Sequence, residues 1–161
     1  MRSGTNSERT GFDTVELLFL DAVECKAEKI VIVGEEKPRI KILKEILKAK
    51  NVHTSISQVG GRKYGIAANR KAFSYGMKPS AINHDGEVIY AGDLVIYSSS
   101  PDPYSRNRIE GLNSSDFENL LHHLEYRQED ERSDSPEEML QLLVLDCRDE
   151  YIGSAACHEA S

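Results

Sequence analysis

The sequence contains no C-x-x-C pair, and its cysteines, Cys25, Cys147 and Cys157, number only three. So few and so scattered, they cannot form the disulfide framework of a small secreted domain. Also absent is any run near the ~18 consecutive apolar residues of a membrane-spanning helix, so no membrane partner is expected. The stretch Met1–Thr10 has no apolar signal-peptide core, and with the cysteine pattern it predicts a cytoplasmic protein. The sequon Asn113-Ser114-Ser115 then reads as a chance match. Apolar residues make up 39% and charged residues 29% of the 161, which suits one well-buried core and is too short for two full domains.

The net charge of −7 conceals a strong asymmetry. Residues 37–78 carry eleven bases (Lys37, Arg39, Lys41, Lys44, Lys48, Lys50, Arg62, Lys63, Arg70, Lys71 and Lys78) against Glu45 alone. Residues 125–161 carry three bases against eleven acids. The middle of an acidic chain is thus a cation.

Residues 1–12 are polar and read as a disordered lead-in. Asp13, three residues before Glu16, has capping-box spacing, and Val15, Leu18, Phe19 and Ala22 follow at helical intervals. A strand over Val15–Leu20 is the alternative, because Leu17 and Leu20 spoil a clean stripe. Ile30–Val33 is β-branched and ends at Gly34, as a buried strand does. Pro38 then suits the first position of a helix over about 38–50, with Ile40, Leu43, Ile46 and Leu47 on one face and Asn51 at its end. His53–Val59 reads as a second strand, and the β-α-β run predicts parallel pairing with a right-handed crossover.

Gly60-Gly61 breaks the chain, and Gly65–Tyr75 reads as a short helix stopped by Gly76. Ser80–Asn83 and Glu87–Ala91 flank His84-Asp85-Gly86, a hairpin signal, and Leu94–Tyr97 extends the sheet. Ser98–Leu112, with Pro101, Pro103 and Gly111, reads as a long exposed loop. Ser115 and Glu118 have capping-box spacing ahead of a stripe of Phe117, Leu120, Leu121 and Leu124. Glu125–Asp134 is a hydrophilic linker. Ser135, Pro136 and Glu138 introduce a last short helix bearing Met139, Leu142 and Leu143.

The expected order over residues 30–125, β-α-β-α-β-β-α, resembles the thioredoxin-like superfamily, especially its small glutaredoxin-like members. Gly34-Glu35-Glu36-Lys37-Pro38-Arg39-Ile40 occupies the place of the family's G-x-x-C-P-x-C, Pro79 that of its cis-proline, and Val88-Ile89-Tyr90-Ala91-Gly92 that of its fourth strand and terminal glycine. The resemblance implies an α/β thioredoxin-like domain over 13–125, with an N-terminal helix and an acidic extension over 126–161. It implies structural roles for Pro79 and Gly92 and a cis Lys78–Pro79 bond. Lys37 and Ile40 stand where the redox cysteines would, so dithiol–disulfide exchange, which needs an attacking thiolate and a resolving thiol, is not expected.

The functional expectation rests on the bases. Lys37, Arg39, Arg62, Lys63, Arg70, Lys71 and Lys78 are the candidate anion-binding residues, with Tyr64, Phe73 and Tyr75 interleaved for stacking. The plainer reading makes Lys41, Lys44 and Lys48 the solvated face of an amphipathic helix. The expected function is a non-redox binding module for a nucleic acid, a phosphorylated ligand or an acidic protein. The alternatives are an enzyme acting on a small anionic substrate in the same cleft, and a structural subunit of a complex. A third possibility is internal, with the acidic tail lying over the basic stretch as a tethered mask. Gly60–Gly65 lacks phosphate-loop spacing and reads as a flexible loop. Cys25 reads as a buried structural cysteine, and His122-His123 as one packed and one exposed ring. Cys147, Cys157 and His158 lack the close pairs and fourth ligand of a zinc site, so neither metal nor cofactor is expected. No Ser–His–Asp set or carboxylate pair is legible from spacing.

Overall fold

The computed structural model describes residues 14–33, 38–72, 74–99, 109–128 and 139–146. The chain begins with a hairpin of β1 (Thr14–Asp21) and β2 (Lys26–Val33). The Asp21 carboxylate accepts the Val23 and Glu24 amides and tightens the turn. Helix α1 (Arg39–Leu47) leads to a second hairpin of β3 (Val52–Val59) and β4 (Arg62–Asn69). Gly60 and Gly61 join these strands with φ of 57° and 83°, the left-handed pair that a two-residue hairpin turn requires. Then come β5 (Pro79–Ile82), β6 (Val88–Ala91), β7 (Leu94–Ser98), α2 (Ser114–His122), β8 (Leu124–Gln128) and β9 (Met139–Val144).

These strands form two sheets. The first is antiparallel throughout, in the order β2-β1-β7-β4-β3; the second has the order β6-β5-β9-β8, with β9 parallel to β5 and antiparallel to β8. One face of the five-stranded sheet, with Leu18, Ile66 and Ile96, packs on Leu143 of the second sheet and on Phe117 and Leu120 of α2. Its other face, with Leu17, Ala67 and Val95, packs on Leu43 and Leu47 of α1. Burial on both faces explains why β4 is so apolar from Tyr64 to Ala68.

This architecture overturns the thioredoxin-like reading. There are two sheets and, among the described residues, two helices, in the order β-β-α-β-β-β-β-β-α-β-β. The basic-patch binding-module description attached to that family falls with it, because its converging end of one sheet does not exist here. The helix expected from Asp13 is strand β1, paired along its whole length with β2. The helix expected over 65–75 is the body of β4 followed by turns, and the helix expected after Ser135 is seen over its described residues as β9. The β-α-β run is present, but β2 and β3 lie at opposite edges of the sheet with three strands between them, so α1 crosses the whole face.

Pro79 does open a strand, yet no described peptide bond is cis, so Lys78–Pro79 is trans. Gly92 turns the chain from the second sheet back to the first, with φ 78° and its N–H donating to the Lys78 carbonyl at 2.8 Å. The hairpin of β5 and β6 forms around Asn83, whose side-chain oxygen accepts the Asp85 and Glu87 amides. Helix α2 is capped two residues earlier than expected, by Asn113 and Asp116 in a reciprocal box. Cys25 sits half-buried in the β1–β2 turn, its thiol donating to the Met139 carbonyl at 3.0 Å. Phe73, Pro101, Pro103, Cys147, Cys157 and His158 lie outside the described residues. No described helix is long and apolar enough to cross a membrane.

Candidate functional site

The antiparallel hairpin of β3 and β4 divides the basic stretch. Arg62 and Lys63 open β4, while Arg70 and Lys71 follow its end, about 23 Å away at ~3.3 Å per residue. Arg62 is committed to Asp116 at the start of α2, at 3.1 Å. Lys63, Arg70 and Lys71 are exposed. Lys78 precedes β5 and its ammonium donates to the Met139 carbonyl at 3.2 Å. Lys37 lies outside the described residues. Tyr64, expected to stack on a ligand, is a core residue whose hydroxyl donates to Asp116 at 3.2 Å; Tyr75 is exposed.

Arg39 is the candidate base that borders a cavity. It begins α1, where the chain enters the helix through Pro38. An open cleft of about 360 Å³ lies between this end of α1 and the edge of the five-stranded sheet, lined by Arg39, Thr54, Ile56, Gly65, Tyr97 and Ser99 and by the Ser55 segment between Thr54 and Ile56. Strand register explains the grouping. Ile56 pairs with Gly65 and Gly65 with Tyr97, so these three form one cross-strand row on the α1 face. A side chain at Gly65 would run directly into the Tyr97 ring. The missing Cβ is what lets that ring lie across β4.

The Arg39 guanidinium stands 5.7 Å from the Tyr97 ring centroid, within the range of a cation–π contact. Burial raises the Tyr97 hydroxyl above its ordinary pKa, and the Arg39 charge opposes that rise. Across the cleft floor stand two hydroxyl residues, Thr54 and Ser99, and the exposed side chain of Ile56. Among the described residues no acidic side chain lines it. Thr54, Ile56, Gly65, Tyr97 and Ser99 were not singled out from sequence. The one local signal was Gly65, a glycine in a strand, which marks close approach by another group; a helical reading of 65–75 hides it.

Two further polar groups are accounted for by the fold. Asp146 accepts the Gly60 and Gly61 amides at 3.2 and 2.7 Å, with His84 facing it at 3.7 Å. Asn119 donates to the Val59 carbonyl and to the Tyr64 hydroxyl. Both lock the β3–β4 turn onto α2 and the end of β9. Between the sheets, His53, Ser55 and Ser57 alternate along β3, and each buries a polar atom without a hydrogen bond, as does Tyr90. The His53 and Tyr90 rings are 6.2 Å apart. Burial pushes the Tyr90 phenol up; the Ser57 hydroxyl is near enough to oppose this but is not aligned for a hydrogen bond. Burial, and then the Arg70 charge, hold the His53 ring below its ordinary pKa. Among the described residues no three His, Cys, Asp or Glu side chains converge as metal ligands. No protein-family model, curated protein or solved structure matches the chain.

Proposed function

We propose that this chain holds an anionic group of a partner in the cleft between Arg39 and Tyr97. The observation that carries the reading is the lining itself: a guanidinium over an aromatic ring, the hydroxyls of Thr54 and Ser99, an exposed isoleucine and, among the described residues, no carboxylate. A guanidinium recognises a carboxylate or phosphate through a planar fork of N–H donors. A ring beneath it restrains the fork and excludes water from one side, so less entropy is lost when an anion arrives. Thr54 and Ser99 add hydroxyl donors on the facing wall. The cysteine pattern alone supports the cytoplasm as its compartment.

The test is a titration of acetate, glutarate and inorganic phosphate, followed by NMR at the Gly65 amide and the Arg39 side chain. Saturable shifts that weaken as salt rises, and that vanish in Arg39→Gln, are the expected result. Shifts that persist unchanged in Arg39→Gln would place the anion elsewhere and end the reading.

A further inference from the structure

We propose that the outward edge of β3, unpaired among the described residues, takes up an extended acidic peptide as a sixth strand, with one of its carboxylate side chains entering the Arg39–Tyr97 cleft. The inference rests on the anion reading of that cleft and names the partner that brings the anion. It starts from backbone direction. The Arg70 N–H donates to the Asn51 carbonyl, and in an antiparallel ladder this turns 53, 55 and 57 toward β4 as well. The backbone groups of Val52, Thr54, Ile56 and Gln58 therefore face outward. The Asp146 N–H donating to the Gln58 carbonyl at 2.8 Å marks that outward side and closes its far end. Among the described residues nothing bonds the outward N–H and C=O of Thr54 or Ile56. Val52 to Ile56 is thus an open template about 16 Å long.

The composition of the strand agrees. Sheet edges are ordinarily protected by charge, proline, a bulge or brevity. Edge strand β2 carries Lys26, Glu28 and Lys29; β8 carries Glu125 and Arg127; β6 has four residues. The eight residues of β3, VHTSISQV, include no Lys, Arg, Asp, Glu or Pro. Ile56, moreover, leaves 56% of its surface exposed on the cleft side. Such an edge is built to be covered.

Charge identifies the cover. Arg39 stands beside Thr54 and Ile56 in the cleft, and Arg70 adjoins the Asn51 end, near enough for its charge to act on His53. Among the described residues the carboxylate at this edge is Asp146, which lies at the closed end and is engaged by the Gly60 and Gly61 amides. A strand laid over Val52–Ile56 meets positive charge at both ends of its span. Its alternate side chains fall on the α1 face, so an acidic residue reaches Arg39 while an apolar one two positions away covers Ile56. Main-chain bonds would supply affinity and the cleft selectivity, as in other cases of strand addition.

The experiment uses the full chain and a capped pentapeptide with glutamate at its second position, valine at its fourth and threonine elsewhere, so that acidic and apolar side chains share one face. A lysine-for-glutamate version is the control, and binding is read by calorimetry and amide NMR. Val52→Pro, at the first residue of β3 and outside the cleft lining, removes an outward N–H that the β3–β4 ladder does not use. We expect it to weaken the acidic peptide at least tenfold while leaving the acetate titration of the cleft unchanged; Arg39→Gln should weaken both. In case Val52→Pro does not fold, a peptide N-methylated on alternate residues is titrated against the unaltered protein and should also lose at least tenfold. Equal binding of methylated and unmethylated peptides, or of the lysine version, would overturn strand addition while leaving the anion cleft standing. Failure of acetate to respond to Arg39→Gln would instead remove the cleft reading. Sedimentation showing a dimer that the acidic peptide does not dissociate would assign the edge to a second copy of this chain, and would also overturn the proposal.

Discussion

At Gly65 the need is for no side chain rather than for an unusual backbone, since the Tyr97 ring occupies the place a Cβ would take. Gly65→Val must push that ring off β4, and overpacking of this kind costs about 1–3 kcal/mol. Urea unfolding should show that loss, and anion shifts at the cleft should disappear with it. His53 offers a test of the electrostatics. Its native pKa lies below the ordinary imidazole value of 6.5, so on acidification the unfolded chain takes up the proton first. The neutral ring therefore loses its favour as pH falls through 6.5, and the loss levels off below the lowered native value. Burial is the larger cause and the Arg70 charge the smaller. Arg70→Gln should therefore raise the His53 pKa seen by NMR without bringing it to 6.5; no rise would refute the Arg70 contribution.

Among the elements, the helices and the β5–β6 hairpin were legible because their signals are local. Pro38 and the apolar spacing of Ile40, Leu43, Ile46 and Leu47 announce α1, although Ile40 is exposed and Ile42 is buried instead, and Asp85-Gly86 announces the turn. For α2 the stripe was right at Phe117 and Leu120, both buried, while Leu121 is exposed and the cap was misplaced. Asn113 accepts the Asp116 amide at 2.8 Å and Asp116 returns the bond at 3.1 Å. Asn113→Ala should cost about 1 kcal/mol in urea unfolding, whereas Ser115→Ala, two residues inside the cap, should cost little; the reverse order would restore the Ser115 box. Strand β1 was ambiguous because Val15, Leu18, Phe19 and Ala22 fit a helical period while Leu18 and Leu20 lie on one strand face. Strand β4 misled for another reason: covered on both faces, it has no alternation, and Ala67-Ala68 favours helix by propensity.

For the molecule as a whole, the acidic C-terminal region is in part built into the fold. Its described part is β9, which lies between β5 and β8 and buries Leu142 and Leu143. A chain ending at residue 128 loses the strand that joins the halves of the second sheet. It should fail to give a cooperative thermal transition, where a removable mask would leave the transition intact and tighten polyanion binding. The point variant Leu143→Ala should cost about 2–5 kcal/mol, because Leu143 is fully buried between the sheets and α2.

The sequence by itself determined the charge asymmetry, the missing thiol pair, both helices, the β5–β6 hairpin and the candidacy of Arg39. Each follows from composition or from residues within a turn of one another. Only the tertiary structure decided that β2 and β3 stand at opposite edges of one sheet, that β9 belongs to another, and that Thr54, Ile56, Gly65 and Tyr97 meet Arg39 in one cleft. Strand partners are selected by the burial of whole faces, and the backbone hydrogen bonds that join them are the same for almost every residue. A cleft made by Ile56, Gly65 and Tyr97 in cross-strand register therefore has no signature along the chain.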